Sequence, residues 1–254
     1  MDAVKRQARQ AGLLYVLIAA TAWIGLLYVP NALYVIGDAG ATADRIRASE
    51  WLLRAGIASE LFHQIVQVFL VLALYRLFKG VNEALAQQLV ILGALVSVPI
   101  VLVNVLNEIA ALTLVGGTDF LTAVSRPQLD ALAYLFLRLH SRGIAIAAIF
   151  WGLWLLPFGL LAIRSGFIPR ALGILLLVAG CAYVVESTTT LVLPQYAHVV
   201  SSVAGVLEFA EVPIILWLAI WGAKVRSGGA AGASRGSSAG AGHHTPAEPG
   251  SGLS

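Results

Sequence analysis

The sequence predicts an all-α, polytopic membrane helix bundle with about six transmembrane helices. Three observations predict it. Hydrophobic residues fill 59% of the 254 positions and charged residues only 11%, where an ordinary soluble domain carries about 25% charge. The mean hydropathy is +0.87, and a soluble fold would have to leave that much apolar surface against water, whereas a bilayer removes the penalty. The apolar residues also gather in runs of the ~20 residues that a helix needs to cross the hydrocarbon core, and basic residues collect in alternate connections between those runs.

The first apolar run covers residues 11–36 and follows Lys5, Arg6 and Arg9. It begins like a signal peptide, but it is too long for the hydrophobic segment of one, and no small-x-small cleavage site follows. An uncleaved first helix is expected, kinked or ended early by Pro30. Residues 37–55 are polar and mixed in charge. Thr42 is expected to cap a short helix with Asp44 in its first turn, and Ile46, Trp51 and Leu53 suit a face at headgroup level. The second span is expected over residues 56–78, ending at Arg76 and Lys79. The third runs over about 85–115, contains Pro99 and is stopped by Gly116 and Gly117. Its length allows tilt. Ser125-Arg126-Pro127 reads as a helix start; residues 128–142 carry apolar residues at helical spacing, and the fourth span follows at 143–163. In the tight connection Arg164-Ser165-Gly166-Phe167-Ile168-Pro169-Arg170, Gly166 suits a helix end and Pro169 the next start. The fifth span is expected over 171–193, closed by Pro194, and the sixth over 199–223.

Beyond Arg226 the composition turns to Gly, Ala, Ser and Pro. Residues 1–226 are therefore expected to form the six-helix transmembrane domain, and residues 227–254 a disordered cytoplasmic tail in which His243 and His244 are incidental. No internal repeat of the inverted-transporter kind is evident. The single cysteine, Cys181, lies in an apolar run, cannot form an internal disulfide and reads as a small apolar residue.

Orientation follows from the basic residues. A cytoplasmic N-terminus puts Lys5, Arg6, Arg9, Arg76, Lys79, Arg164, Arg170, Lys224 and Arg226 inside. Arg45, Arg47, Arg54 and Arg126 then fall outside, with Arg138 and Arg142 near the outer interface. Both termini are expected in the cytoplasm, and the chain in the cell inner (plasma) membrane. The net charge of +3 is thus a topology signal with anionic lipid headgroups as partners, and a nucleic-acid partner is excluded. The expected surroundings are the lipid bilayer and a small ligand or ion, and association into a homo-oligomer is compatible with the chain.

The informative residues are those that break the apolar runs, since an ionisable group in hydrocarbon costs at least ~2.5–3.5 kcal/mol. In the second span Glu60, His63, Gln64 and Gln67 fall at i, i+3, i+4, i+7 and share one helical face. Ser97, Asn104, Asn107 and Glu108 form a stripe on the third span. Tyr183, Glu186, Thr189 and Thr190 do so on the fifth, and Ser201, Gly205, Glu208 and Glu211 on the sixth. Counted at ~1.5 Å per residue from the outer ends, these stripes converge on the outer half of the bilayer. They predict one polar cavity, opening outward, with His140 and Arg142 at its rim.

Five carboxylates (Glu60, Glu108, Glu186, Glu208 and Glu211) cannot all stay ionised when crowded in low dielectric. A bound cation or a shared proton resolves the conflict. Glu60-Leu61-Phe62-His63 has the Glu-x-x-His spacing of carboxylate-bridged metal sites, so a divalent metal held by His63, Glu60, Glu108 and His140 is chemically reasonable. Against this stands plain hydrogen-bonded glue between helices, which suits Gln64, Asn104 and the threonines better than the carboxylates. No G-x-S-x-G, H-E-x-x-H, P-loop or G-x-G-x-x-G motif is present. The expected function is binding or movement of a proton, cation or small polar ligand at this belt. The alternatives are a metal-dependent intramembrane enzyme and a structural or partner-binding membrane subunit.

Three stretches carry a family resemblance: Gly37-Asp38 with Ala41-Thr42-Ala43, Ala48-Ser49-Glu50 and Arg54-Ala55-Gly56-Ile57; Leu137-Arg138-Leu139-His140-Ser141 with Gly143; and Arg164 to Arg170 with Leu172-Gly173. Together they resemble the bacterial integral membrane family called domain of unknown function 4386, over nearly the whole chain to about Arg226. The resemblance implies a multi-helix membrane architecture. It implies no reaction, ligand or site residue.

Overall fold

The computed structural model describes residues 2–117 and 119–223. Lys224, Arg226 and the expected tail with His243 and His244 lie outside the described residues. Six helices are long and apolar enough to cross a membrane, and together with a short extra helix they are numbered here in chain order: α1 (Ala3–Leu33), α2 (Ala39–Ala48), α3 (Glu50–Phe78), α4 (Glu83–Gly116), α5 (Arg126–Ser165), α6 (Arg170–Val192) and α7 (Pro194–Ile220). The chain is an all-α bundle with six membrane spans, as its apolar runs predict.

The spans pack as a ring in sequence order, leaving out the short α2: α1 on α3, α3 on α4, α4 on α5, α5 on α6, α6 on α7, and α7 back on α1. The last contact is close. Arg9 Nη2 donates to the Ile220 carbonyl at 2.9 Å, and a Cβ on Gly12 would meet the Ala219 backbone nitrogen at 2.2 Å. Between α5 and α6 the same device is used twice. A Cβ on Gly152 would lie 2.6 Å from the Gly180 carbonyl, and one on Gly173 2.6 Å from that of Gly159. Lipid gives no hydrophobic drive between spans, so such small residues let the backbones close and gain van der Waals contact.

Two spans contain a π-helical turn, Trp23–Tyr28 in α1 and Ile91–Val96 in α4. Each precedes a proline, Pro30 or Pro99, whose missing N–H breaks the regular ladder and forces a local change of register. Within the second of these turns the Gly93 carbonyl accepts from two side chains, Gln67 Nε2 at 3.0 Å and Ser97 Oγ at 2.9 Å. This is how a break in a membrane helix is tolerated.

Helix α2 is capped by Asp38, whose carboxylate accepts the Ala41 N–H at 2.8 Å, and not by Thr42 as the sequence suggested. Thr42 is buried instead and tethers the preceding turn, accepting the Val35 N–H at 2.9 Å. Helix α5 is the longest, with 40 residues, or about 60 Å, against the ~30 Å of a bilayer core. Residues 128–142 and the span expected at 143–163 are therefore one continuous helix. Ser125 and Gln128 close its start with a capping box, and its first turns rest on α2. Arg47 pairs with both Asp44 and Asp130, and the Gly37 N–H donates to Tyr134 Oη at 2.9 Å.

The interior has two apolar parts. The larger includes Leu70, Leu74, Phe78, Trp154, Phe158 and Leu161, toward the end of the bundle where α3 and α5 finish. The smaller includes Val29, Leu33, Ile46, Leu53, Val115 and Leu137, with α2 packed over it at the opposite end.

Candidate functional site

Helices α3, α4 and α5 each send one ionisable side chain to a common point. Glu60 is 3% exposed, Glu108 0% and His140 3%. His140 Nε2 lies 3.1 Å from Glu60 Oε2, and its Nδ1 lies 3.9 Å from Glu108 Oε1. One ligand atom from each of the three falls within 4.8 Å of the other two. Glu60 comes close because Gly25, in the π-helical turn of α1, has no side chain. A Cβ there would meet Glu60 Cγ at 2.9 Å.

The surrounding groups hold this arrangement without completing it. Tyr34 Oη donates to Glu108 Oε1 at 3.2 Å. Burial, followed by the Glu108 charge, holds the Tyr34 hydroxyl well above the ordinary tyrosine range, so it is a neutral donor. Asn104 Nδ2 donates to the His140 carbonyl at 2.9 Å, and Asn107 Nδ2 donates to Asn104 Oδ1 at 3.0 Å. Gly143 makes room for this brace, since a Cβ there would sit 2.0 Å from Asn104 Oδ1. Two carboxylate oxygens, Glu60 Oε1 and Glu108 Oε2, are buried and have no hydrogen-bond partner among the described residues. Buried polar atoms are nearly always paired, and a buried carboxylate left open is expensive.

Next to Glu60 is a cavity of about 10 Å³ lined by Thr21, His63, Gln64, Val101 and Trp151 among others, room for about one water molecule. His63 turns away from the cluster. The Thr21 hydroxyl gives its proton to the Ile18 carbonyl at 2.9 Å or to that of Leu17 at 3.0 Å, so its oxygen accepts from His63 Nδ1 at 3.1 Å. The ring is then protonated on Nδ1 and carries its lone pair on Nε2.

The other three acidic residues form a second cluster between α6, α7 and α1. Tyr15 donates to Glu211, and Tyr183 is a second hydroxyl beside that carboxylate. Glu186 and Glu208 face each other next to it. The ring order explains the division, because α6 packs on α5 and α7, and α7 packs on α6 and α1. Tyr15 itself stacks at 5.9 Å on Trp154 and at 6.3 Å on Phe158, so it borders the larger apolar core.

Set against the sequence reading, Glu60, Glu108 and His140 meet, with Asn104 and Asn107 bracing them. Gln64 and His63 line the neighbouring cavity, and His63 is not in the three-residue group. Glu186, Glu208 and Glu211 are elsewhere, so the five carboxylates do not share one pocket. His140 is not at a rim but deep in α5, because that helix starts well before the expected span. Arg142 is not at a cavity mouth either; its Nη1 donates to the Thr190 carbonyl at 2.5 Å, joining α5 to α6. The wide opening of about 410 Å³ is at the loop end, beside Arg47, Asp119 and Arg126, and none of the belt residues lines it. Tyr15, Thr21 and Tyr34 were missed. The signal for them was the same in each case: a hydroxyl in or next to an apolar run must find a partner inside the protein.

The chain belongs to the family described as a domain of unknown function (DUF4386), which matches residues 10–222. No curated protein and no solved structure matches it.

Proposed function

We propose that this integral membrane protein binds and exchanges a cation inside its helix bundle, at Glu60, His140 and Glu108. One observation carries the reading. Two carboxylates and an imidazole from three different spans lie within ligand distance of one another, almost without exposure, and two of the carboxylate oxygens have no partner among the described residues. Helices can be joined more cheaply by neutral amides, as Gln67 does with the Gly93 carbonyl. A buried arrangement of charged groups is retained where it binds or switches something. A proton or a metal ion is the cation such groups accept. Tyr34 and α2 close the site toward the loop end, and the one-water cavity beside Glu60 is its nearest internal space.

The same reading places the protein in the plasma membrane with both termini in the cytoplasm, on the strength of Lys5, Arg6, Arg9, Arg76, Lys79, Arg164 and Arg170 at one end of the spans. Residues 1–226 are its transmembrane domain, and the Gly/Ala/Ser-rich remainder is a cytoplasmic tail. Cysteines introduced at Gly80 and at Gly37 report the orientation, since a membrane-impermeant thiol reagent on intact cells should label only the second.

The test of function is infrared difference spectroscopy on the purified protein between acid and neutral pH. A carboxyl signal should change in the wild type and lose a component in Glu60→Gln and in Glu108→Gln. No carboxyl change, or a change untouched by either substitution, ends the proposal.

A further inference from the structure

The chemistry of the cluster narrows the cation to one class. We infer that Glu60, Glu108 and His140 bind a divalent first-row transition metal such as Zn²⁺, Mn²⁺, Fe²⁺ or Co²⁺. This inference rests on reading the cluster as a cation site, and names the ion that site takes.

Donor type comes first. Mg²⁺ and Ca²⁺ prefer cages of oxygen ligands, whereas one imidazole nitrogen with carboxylate oxygens suits the first-row transition ions. Spacing agrees. Two ligands at about 2.0–2.1 Å from a tetrahedral ion are about 3.3 Å apart. Glu60 Oε2 and His140 Nε2 are 3.1 Å apart, which is the separation of two neighbouring ligands on one ion. The ligand atom of Glu108 lies within 4.8 Å of the other two, so it closes in by no more than about 1.5 Å to reach the ~3.3 Å of a tetrahedral site. It is equipped to do so, because its Oε2 has no partner among the described residues to give up.

Charge points the same way. Two ionised glutamates and a neutral imidazole carry two negative charges, which a dication cancels. Buried charge is tolerated when it is compensated in this way or coordinates a metal. Metal at His140 Nε2 needs the single proton of the neutral ring to sit on Nδ1, and any further proton held between His140 and the glutamates is released to solvent on binding.

The outer contacts match what metal sites need. Ligand orientation is set by the groups behind the ligands. Asn104 fixes the His140 backbone, Asn107 fixes Asn104, and Tyr34 holds Glu108. A fourth ligand position falls to water, for which the cavity beside Glu60 has room. His63 lies outside the group of Glu60, Glu108 and His140 and is already bound to Thr21. The Glu-x-x-His pair of α3 therefore does not act as a pair; the histidine comes from α5.

The experiment uses the full chain purified in detergent. Its metal content is measured by elemental analysis, and after stripping with a chelator it is titrated with Zn²⁺ or Mn²⁺ by calorimetry, with proton release followed in parallel. One ion per chain is expected, with uptake weakening as pH falls because protons compete for the same ligands. Glu60→Gln and Glu108→Gln should each weaken binding by more than the ~100-fold upper range for an outer contact, and Asn104→Ala and Tyr34→Phe by about 10-fold. Glu186→Gln in the other cluster should leave affinity unchanged. Size exclusion and the thermal midpoint show that each variant is folded, and the near-isosteric Gln variants keep the test valid if an Ala variant is not. A carboxyl signal that titrates in the infrared with no bound metal overturns this inference but leaves the cation reading, with the proton as the ion. Absence of both signals overturns both. Metal that survives Glu60→Gln and Glu108→Gln overturns this site.

Discussion

The bundle holds two acidic clusters of similar size that end differently. Around Glu211 the carboxylate is met by two phenol hydroxyls, from Tyr15 and Tyr183. Phenols are neutral donors that cost little to bury once paired, so this cluster joins α1, α6 and α7, and none of the buried side-chain atoms left without a partner among the described residues belongs to it. Around His140 the partner is an imidazole reaching toward two glutamates, and Glu60 Oε1 and Glu108 Oε2 are left without a partner among the described residues. Acidic residues in a membrane span are thus not informative by number. What distinguishes glue from a binding site is whether the last acceptor is satisfied.

The largest effect should come from removing the imidazole. His140→Ala leaves Glu60 and Glu108 buried together with no positive group beside them and only the Tyr34 hydroxyl donating to Glu108, and an uncompensated buried charge costs about 3–5 kcal/mol. The thermal midpoint in detergent should fall sharply, and a second substitution, Glu108→Gln, should recover part of the loss. If His140→Ala is as stable as wild type, the two clusters do not differ in the way described.

Next comes a change that never touches an ionisable group. Gly143→Ala places a methyl 2.0 Å from Asn104 Oδ1. Overpacking of this kind costs about 1–3 kcal/mol, and Asn104 must swing off the His140 carbonyl. Metal affinity should fall with stability. If stability falls alone, Asn104 does not position His140. In the other cluster, Tyr183→Phe removes one of the two hydroxyls on Glu211 and should cost about 1–3 kcal/mol, with no effect on metal binding. A loss of metal there would erase the contrast between the clusters.

The sequence made some of this legible for physical reasons. Bilayer thickness is a strong length constraint, so the six spans follow from hydropathy. Helical period then places Glu60, His63 and Gln64 on one stripe and Asn104 and Glu108 on another. Period does not say which stripe faces which, and that is decided by the ring order. Glu186, Glu208 and Glu211 were placed with Glu60 because all lay at similar counted depth, yet α6 and α7 turn them toward α1. His140 was placed at a mouth because the span was expected to begin near Gly143. No helix breaker separates 128–142 from that span, and an unbroken apolar helix carries His140 inside. The direction of His63 depended on Thr21, a hydroxyl in a long apolar run whose need for a partner was the available signal.

The smallest predicted effect on stability is the most selective. Tyr34→Phe removes one hydrogen bond, from a phenol to Glu108 at 3.2 Å, and keeps the ring that packs beside Leu33 and Ile46. The net loss should be about 0.5–1.5 kcal/mol. Because burial and the Glu108 charge raise the Tyr34 hydroxyl above its ordinary value, it stays protonated in the folded state at any pH below about 10, and the loss should not vary with pH in that range. Above it, the wild type should lose stability as the unfolded phenol ionises more readily than the folded one, and Tyr34→Phe should lack that alkaline component. A merely structural tyrosine would shift the thermal midpoint and nothing else. A residue that aims Glu108 at an ion should also weaken metal binding, so measuring both quantities on this one variant separates the two roles.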